Sequence, residues 1–233
     1  MDGDYRYLGR LVVDFDSEGV VIPDTVEAQE SGAYATHEDA MGDVDASANE
    51  RIVAVTESIG EVLQRREGNI LGRTDVYLDG RRSEVRTEET NLGNVTSDAN
   101  LWYAEQTDAE TVISIKNGGG IRSAIGDRYV PAGSVDGIPE LGPPPAIESV
   151  GKPEGGISQF NIEGSLRFNN GLTLLSVTAA ELLDVMEHAV SATEEGATPG
   201  KFPQVGGMRF SFDPSRQARS VDSENMGDRK SVV

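Results

Sequence analysis

The stretch Thr111-Val112-Ile113-Ser114-Ile115-Lys116-Asn117-Gly118-Gly119-Gly120-Ile121-Arg122 runs a strand-like segment straight into three glycines bounded by an amide and a guanidinium. Glycine loses more backbone entropy on folding than any other residue, so a triplet is favoured where φ is positive or where backbone must approach closely. A glycine turn leaving a buried strand can turn N–H groups toward an anion, and Arg122 can add a bidentate contact to phosphate or carboxylate. The alternative is a tight glycine turn with a surface arginine. The run matches neither a Walker A loop nor the dinucleotide fingerprint.

Outward from this loop, strand and helix patterns alternate. Ile70 to Leu78 reads as a strand, Asp79-Gly80 as a turn, and a helix follows with Leu92, Val95, Ala99 and Trp102 on one face. The Pro- and Gly-rich stretch 131–156, with Pro143-Pro144-Pro145, reads as an extended surface insertion. Leu172 to Val177 reads as a strand. Thr178-Ala179-Ala180-Glu181 forms a capping box opening a helix whose buried face is Leu182, Leu183, Val185, Met186, Ala189 and Val190. Met208 to Phe212 reads as one more strand. Strands mixed with helices indicate an α/β domain.

On the N-terminal side, Leu8 to Phe15 alternates as a strand, Asp16-Ser17-Glu18-Gly19 makes a turn, and Val20-Val21-Ile22 returns as its hairpin partner. The acidic, Gly-containing stretch from Thr25 to about Ala46 reads as a linker. A helix follows, capped by Ser47, with Ile52, Val55, Ile59, Val62 and Leu63 as its apolar stripe and Gly68 at its end.

Composition narrows the function. Across 233 residues, Lys+Arg 20 against Asp+Glu 40 leaves a net charge of −20. Such a field repels polyanions, which argues against nucleic acid or an anionic membrane as a partner, while a small anion remains compatible with a local arginine cluster. With no cysteine there is no disulfide framework and no thiol nucleophile. The two histidines, His37 and His188, lie far apart, whereas a binuclear hydrolase centre draws on several His and Asp residues. We read His188 as an ordinary, partly buried helix residue. Met1-Asp2-Gly3-Asp4-Tyr5-Arg6 has neither the basic nor the apolar region of a secretion signal.

Arg82 and Arg86 stand four apart; in an extended segment they share a face and can converge on one polyanion together with Arg122. Phe168-Asn169-Asn170 offers a ring to stack on a flat heterocycle and amides for its edge; such stacking contributes roughly 1–3 kcal/mol per base. A Phe packed at a strand end is the alternative.

Taken in order, Val85 to Asn94, the NGGGIR run at 117 to 122, Phe168-Asn169-Asn170, and Thr178 to Val190 resemble the C-terminal domain of the 5'-nucleotidase family over roughly Ile70 to Pro214. The resemblance implies a mixed, layered α/β sandwich, incomplete at its C-terminus. Residues 1–30 resemble the tail of the family's N-terminal metallophosphatase domain, 31–67 would be linker and interdomain helix, and 68–227 the substrate-binding domain. Asp228-Arg229-Lys230-Ser231-Val232-Val233 is what a common sequencing adapter encodes when read in frame, so 228–233 is expected to be non-biological.

What the resemblance implies is a periplasmic or cell-surface hydrolase that removes phosphate from nucleotides. A divalent metal pair of zinc or manganese type would sit in the N-terminal domain, which is the partner of this one. Arg86 and Arg122 fall on the family's phosphate-contacting arginines, and Arg82 on one used by some bacterial members. Asn117, in the loop with Gly119, falls on a ligand-contacting amide, Phe168 on one of two base-stacking aromatics, and Asn170 on a base-contacting amide. Neither a catalytic residue nor a metal ligand is assigned within the chain. Asn169 stands where Gly is usual, and the chain stops before the second aromatic. Alternatives are a noncatalytic nucleotide-binding or structural fragment, or a hydrolase of 2',3'-cyclic nucleotides or UDP-sugars.

Overall fold

The computed structural model describes residues 6–27, 30–36, 49–220, 227 and 229–232. His37 and Ser47 lie outside the described residues. The chain divides between Ile59 and Gly60 into two compact units.

In the first unit, β1 (Tyr7–Arg10) pairs antiparallel with β2 (Gly32–Ala35), Tyr7 opposite Ala35. Gly32–Ala35 is therefore strand where Thr25 to Ala46 reads as linker, and 28–29 and 37–46 lie outside the described residues. The turn at Asp16 to Gly19 does form, but the hairpin narrows to a single bridge between Phe15 and Val21. Asp16 Oδ1 accepts from the backbone N–H groups of Glu18 and Val20 and so closes the turn, while Asp16 N and Ile22 N donate to Val20 O and Asp14 O on either side of the bridge. Helix α1 (Glu50–Gly68) carries the division between units. Asn49 Oδ1 accepts from the N–H groups of Arg51 and Ile52, so Asn49 acts at its start. The predicted stripe is apolar but exposed, from Ile52 at 60% to Val62 at 36%.

In the second unit the strands pair two by two, all antiparallel. β3 (Ile70–Arg73) is shorter than expected. A helical turn α2 (Arg82–Val85) and helix α3 (Asn91–Glu105) follow, then β4 (Ser114–Asn117), β5 (Asp127–Tyr129) and β6 (Glu140–Gly142). Next come β7 (Gly156–Ser158), α4 (Gln159–Ser165), α5 (Ala179–Val190), β8 (Pro203–Gly206) and β9 (Phe210–Phe212), the last paired with β10 (Lys230–Val232). β3 pairs with β7, β4 with β8 and β5 with β6. The class is α/β, as expected.

Several expectations change. The buried face of α3 is Leu92, Gly93, Thr96, Ser97 and Ala104, while Val95 and Trp102 are exposed. Small residues win because α3 lies against β8: a Cβ at Gly93 would overlap the Gln204 side chain, and one at Gly206 would come within 2.9 Å of Asp98 Oδ1. Leu172 to Val177 forms no strand among the described residues; it is exposed and makes no ladder. On α5 the buried face is Met186, Glu187, Ala189 and Val190, whereas Leu183, Val185 and His188 are exposed. His188, expected to be partly buried, falls among the exposed residues of the helix, although part of its surface is still withdrawn from water. Nor is 131–156 wholly a surface insertion, because β6 pairs with β5, Pro144 is fully buried, and Lys152 is 3% exposed. Lys152 Nζ reaches Glu67 Oε1 at 2.7 Å and Asn161 Oδ1 at 2.9 Å, and Ser158 Oγ donates to Glu67 Oε2 at 2.6 Å. A buried ammonium is tolerated because its partners are in place.

The core of this unit is Leu78, Val85, Leu92, Ile121 and Ile125. At its border the buried Gln204 side chain donates from Nε2 to Val85 O (3.0 Å) and Glu88 O (2.7 Å), and its Oε1 accepts from Thr90 N (3.3 Å). Gln204→Leu leaves all three main-chain groups without this partner; chemical denaturation is expected to show a loss of about 3 kcal/mol.

The capping box forms as predicted, with Thr178 N and Oγ1 donating to Glu181 Oε2 at 2.7 and 2.8 Å. These donors hold the Glu181 carboxyl below its ordinary value of 4.5. Its stabilisation is therefore present above that value and lost as pH falls through the lowered one. The gap in melting temperature between wild type and Glu181→Ala is expected at neutral pH and should close in acid; a gap of constant size across that range would contradict the linkage.

Candidate functional site

The glycine triplet is a 3-10 turn, Gly118–Gly120, and none of its glycines has positive φ. Close approach is the reason for them. A Cβ at Gly118 would overlap the Val85 carbonyl, and one at Gly119 would lie 2.8 Å from Gly200 O and 2.9 Å from Gly200 Cα. Gly118 N donates to Phe202 O (2.7 Å) and Gly119 N to Gly200 O (2.8 Å). These two N–H groups are spent on the 200–202 segment and are not free for an anion.

Arg82 and Arg86 lie on and just after a helical turn, not an extended segment. Convergence survives the correction, because residues four apart also share a face of a helix. Arg82 Nε donates to Thr198 Oγ1 (3.0 Å), and Arg86 Nη1 contacts Thr198 O (3.4 Å). Arg86 is 7% exposed, and its Nε has no hydrogen-bond partner. Burial first, then the nearby charges of Arg82 and Arg122, lower its affinity for its own proton. The three predicted arginines are therefore electrostatic neighbours. Among the described residues none of them is ion-paired with a carboxylate, although the protein carries twice as many acids as bases.

Arg122 and Phe168 meet directly. The guanidinium carbon lies 5.6 Å from the ring centroid, within the range of a cation–π contact. The backbone explains the meeting: Arg122 N donates to Ser165 O and Ser165 Oγ donates to Ser123 O, each at 2.8 Å, at the end of α4. Phe168 follows three residues later and is about half exposed, so it is not the packed strand-end Phe of the alternative reading. Asn117 Nδ2 points to Gly200 O at 3.4 Å, which places this amide at the same turn as Gly119. Asn170 is exposed in the extended stretch after Phe168, and its position does not tie it to the arginines.

Thr198, Gly200 and Gln204 were not singled out from the sequence. The Gly196 to Gly200 segment signals a turn between helix and strand, but not that its oxygens receive Arg82, Arg86, Asn117 and Gly119. His188 lies outside this constellation; burial and the charges of Lys201 and Arg219 lower its pKa.

The profile of the family described as 5'-nucleotidase, C-terminal domain, matches residues 70–229, which contain every element of this site. The chain belongs to that family. A trifunctional nucleotide phosphoesterase protein of Bacillus subtilis (strain 168) is 30% identical over 207 residues, 89% of this chain and 12% of that protein. The 5'-nucleotidase of Rattus norvegicus is 32% identical over 219 residues, 91% of this chain and 31% of that protein. A crystal structure of a 5'-nucleotidase precursor from Thermus thermophilus matches with a TM-score of 0.56 at 25% identity, covering 97% of this chain and 38% of that one. The chain thus spans less than a third of the length of these two curated relatives. Within the 5'-nucleotidase C-terminal domain family, the mixed α/β architecture seen here is the expected one.

Gly119→Ala tests the close approach at the centre of the site. Its Cβ would meet backbone and no yielding side chain. Overpacking of this kind costs about 1–3 kcal/mol, and urea denaturation is expected to report a loss in that range.

Proposed function

We propose that the chain is the substrate-binding part of a metal-dependent nucleotide phosphohydrolase of the 5'-nucleotidase type, acting in nucleotide breakdown. Arg82, Arg86 and Arg122 take the phosphate, Phe168 stacks the base, and Asn117 and Asn170 supply amides to the ligand. One observation carries the reading: among the described residues three neighbouring guanidiniums have no carboxylate partner, in a protein of net charge −20, and one of them abuts a half-exposed aromatic ring. A phosphate dianion supplies the missing countercharge, and bidentate hydrogen bonds add direction. Arg86 Nε is buried and unpartnered, a cost that an anion's oxygen would offset.

The divalent metal pair of such an enzyme does not fit the residues here. Among the described residues no group of three or more His, Asp or Glu side chains converges as ligands would. We place the pair in a metallophosphatase domain of the parent protein. The proposed location is the periplasm or cell surface, and it rests on the family resemblance alone. No helix among the described residues is long and apolar enough to cross a membrane.

Calorimetry of the chain with AMP, adenosine and inorganic phosphate is the direct test. AMP is expected to bind, with Arg122→Ala weakening it at least tenfold and leaving adenosine nearly unchanged, since a charge-assisted contact contributes about 1.5–3 kcal/mol. Phe168→Ala should weaken AMP and adenosine alike by roughly 1–3 kcal/mol. AMP affinity equal in wild type and Arg122→Ala would remove the basis for the assignment.

A further inference from the structure

Arg81 and Arg82 are sequence neighbours with opposite treatment. Arg81 is held by the Asp79 carboxylate through Nε and Nη2, a contact that cancels its charge. Arg82 is held by a hydroxyl, Thr198 Oγ1, at 3.0 Å. The carbonyl of Thr198 faces Arg86 Nη1. Two guanidiniums this close repel each other, and the depressed pKa of Arg86 reflects that repulsion after its burial. A side chain that brings them together without neutralising them must be uncharged.

The segment bearing Thr198 is itself fixed at both ends. Ala197 N donates to Glu194 O (3.0 Å), Phe202 N to Pro199 O (3.1 Å), and Gly119 N to Gly200 O (2.8 Å). Thr198 therefore has a defined place from which to aim Arg82.

We propose that Thr198 is a positioning residue for phosphate recognition, orienting Arg82 beside Arg86 through a neutral oxygen so that both charges remain available to the anion. This rests on the nucleotide reading of the site. A carboxylate in its place would orient Arg82 equally well but would compete with the phosphate for it. The hydroxyl gives direction and leaves the field intact.

Thr198→Val removes the acceptor while retaining the β-branched shape and the carbonyl; Thr198→Ser restores the acceptor. The chain is titrated with AMP and with adenosine by calorimetry, and the Arg82 Nε–H resonance is followed by 15N NMR. Thr198→Val is expected to weaken AMP roughly tenfold, to leave adenosine unchanged and to move the Arg82 Nε–H signal toward that of a free arginine, with Thr198→Ser returning all three readouts to wild type. A merely structural role predicts parallel loss of AMP and adenosine, uncorrected by serine, and that result overturns the proposal. A wild-type chain that takes no AMP overturns the nucleotide reading and this role with it. AMP binding left intact by Thr198→Val overturns the role of Thr198 alone.

Discussion

The side-chain amide of Gln204 is the contact on which the site depends. It stands on β8, fully buried, and reaches across to close the main chain of 85–90 with two donated bonds and one accepted bond. That segment carries Arg86 and leads into α3, while the strand bearing Gln204 pairs with β4, whose end feeds the glycine turn. One amide thus couples the arginine turn to the glycine loop. A buried amide left half-satisfied would destabilise the fold, so its three partners hold the two segments in a single register.

The glycines serve this same geometry. Gly93 makes room for the Gln204 side chain, Gly118 for the Val85 carbonyl and Gly119 for Gly200. Each is small because backbone or a buried amide occupies the space where a Cβ would stand. The triplet that looks like a ligand cradle is a packing device that brings Arg122, the arginine turn and the 198–200 segment to one place. At the rim stand guanidiniums that have no carboxylate partner among the described residues, and an aromatic ring beside one of them. Burial of Arg86 beside two like charges is unfavourable in isolation, which is the kind of local conflict that binding sites retain.

The candidate site was legible in outline because its chemistry is carried by residue type and order. Arg82, Arg86, Asn117, Gly119, Arg122 and Phe168 are brought into one region even though the reasons assigned to two features were wrong. The arginine pair lies at a helical turn and not in an extended segment, and the N–H groups of Gly118 and Gly119 are bonded to the 200–202 segment. Element faces were less legible. Hydrophobicity placed Val95 and Trp102 inward on α3, whereas the requirement for close contact with β8 selects the small side of that helix. Leu172 to Val177 has the pattern of a strand, but a ladder needs a partner, and local sequence does not supply one.

By itself the sequence determined the α/β class, the capping box that opens α5, and the family. These follow from local propensity, turn chemistry and motif order, which short stretches carry on their own. Only the tertiary structure decided that Thr198 meets Arg82 and Arg86, that Gln204 closes the main chain of 85–90, that Phe168 lies against Arg122, and that Gly118 and Gly119 pack closely on backbone. Those facts join residues up to 119 positions apart, several through main-chain atoms whose hydrogen-bonding capacity every sequence shares. Which of those identical donors and acceptors meet is settled by packing in three dimensions.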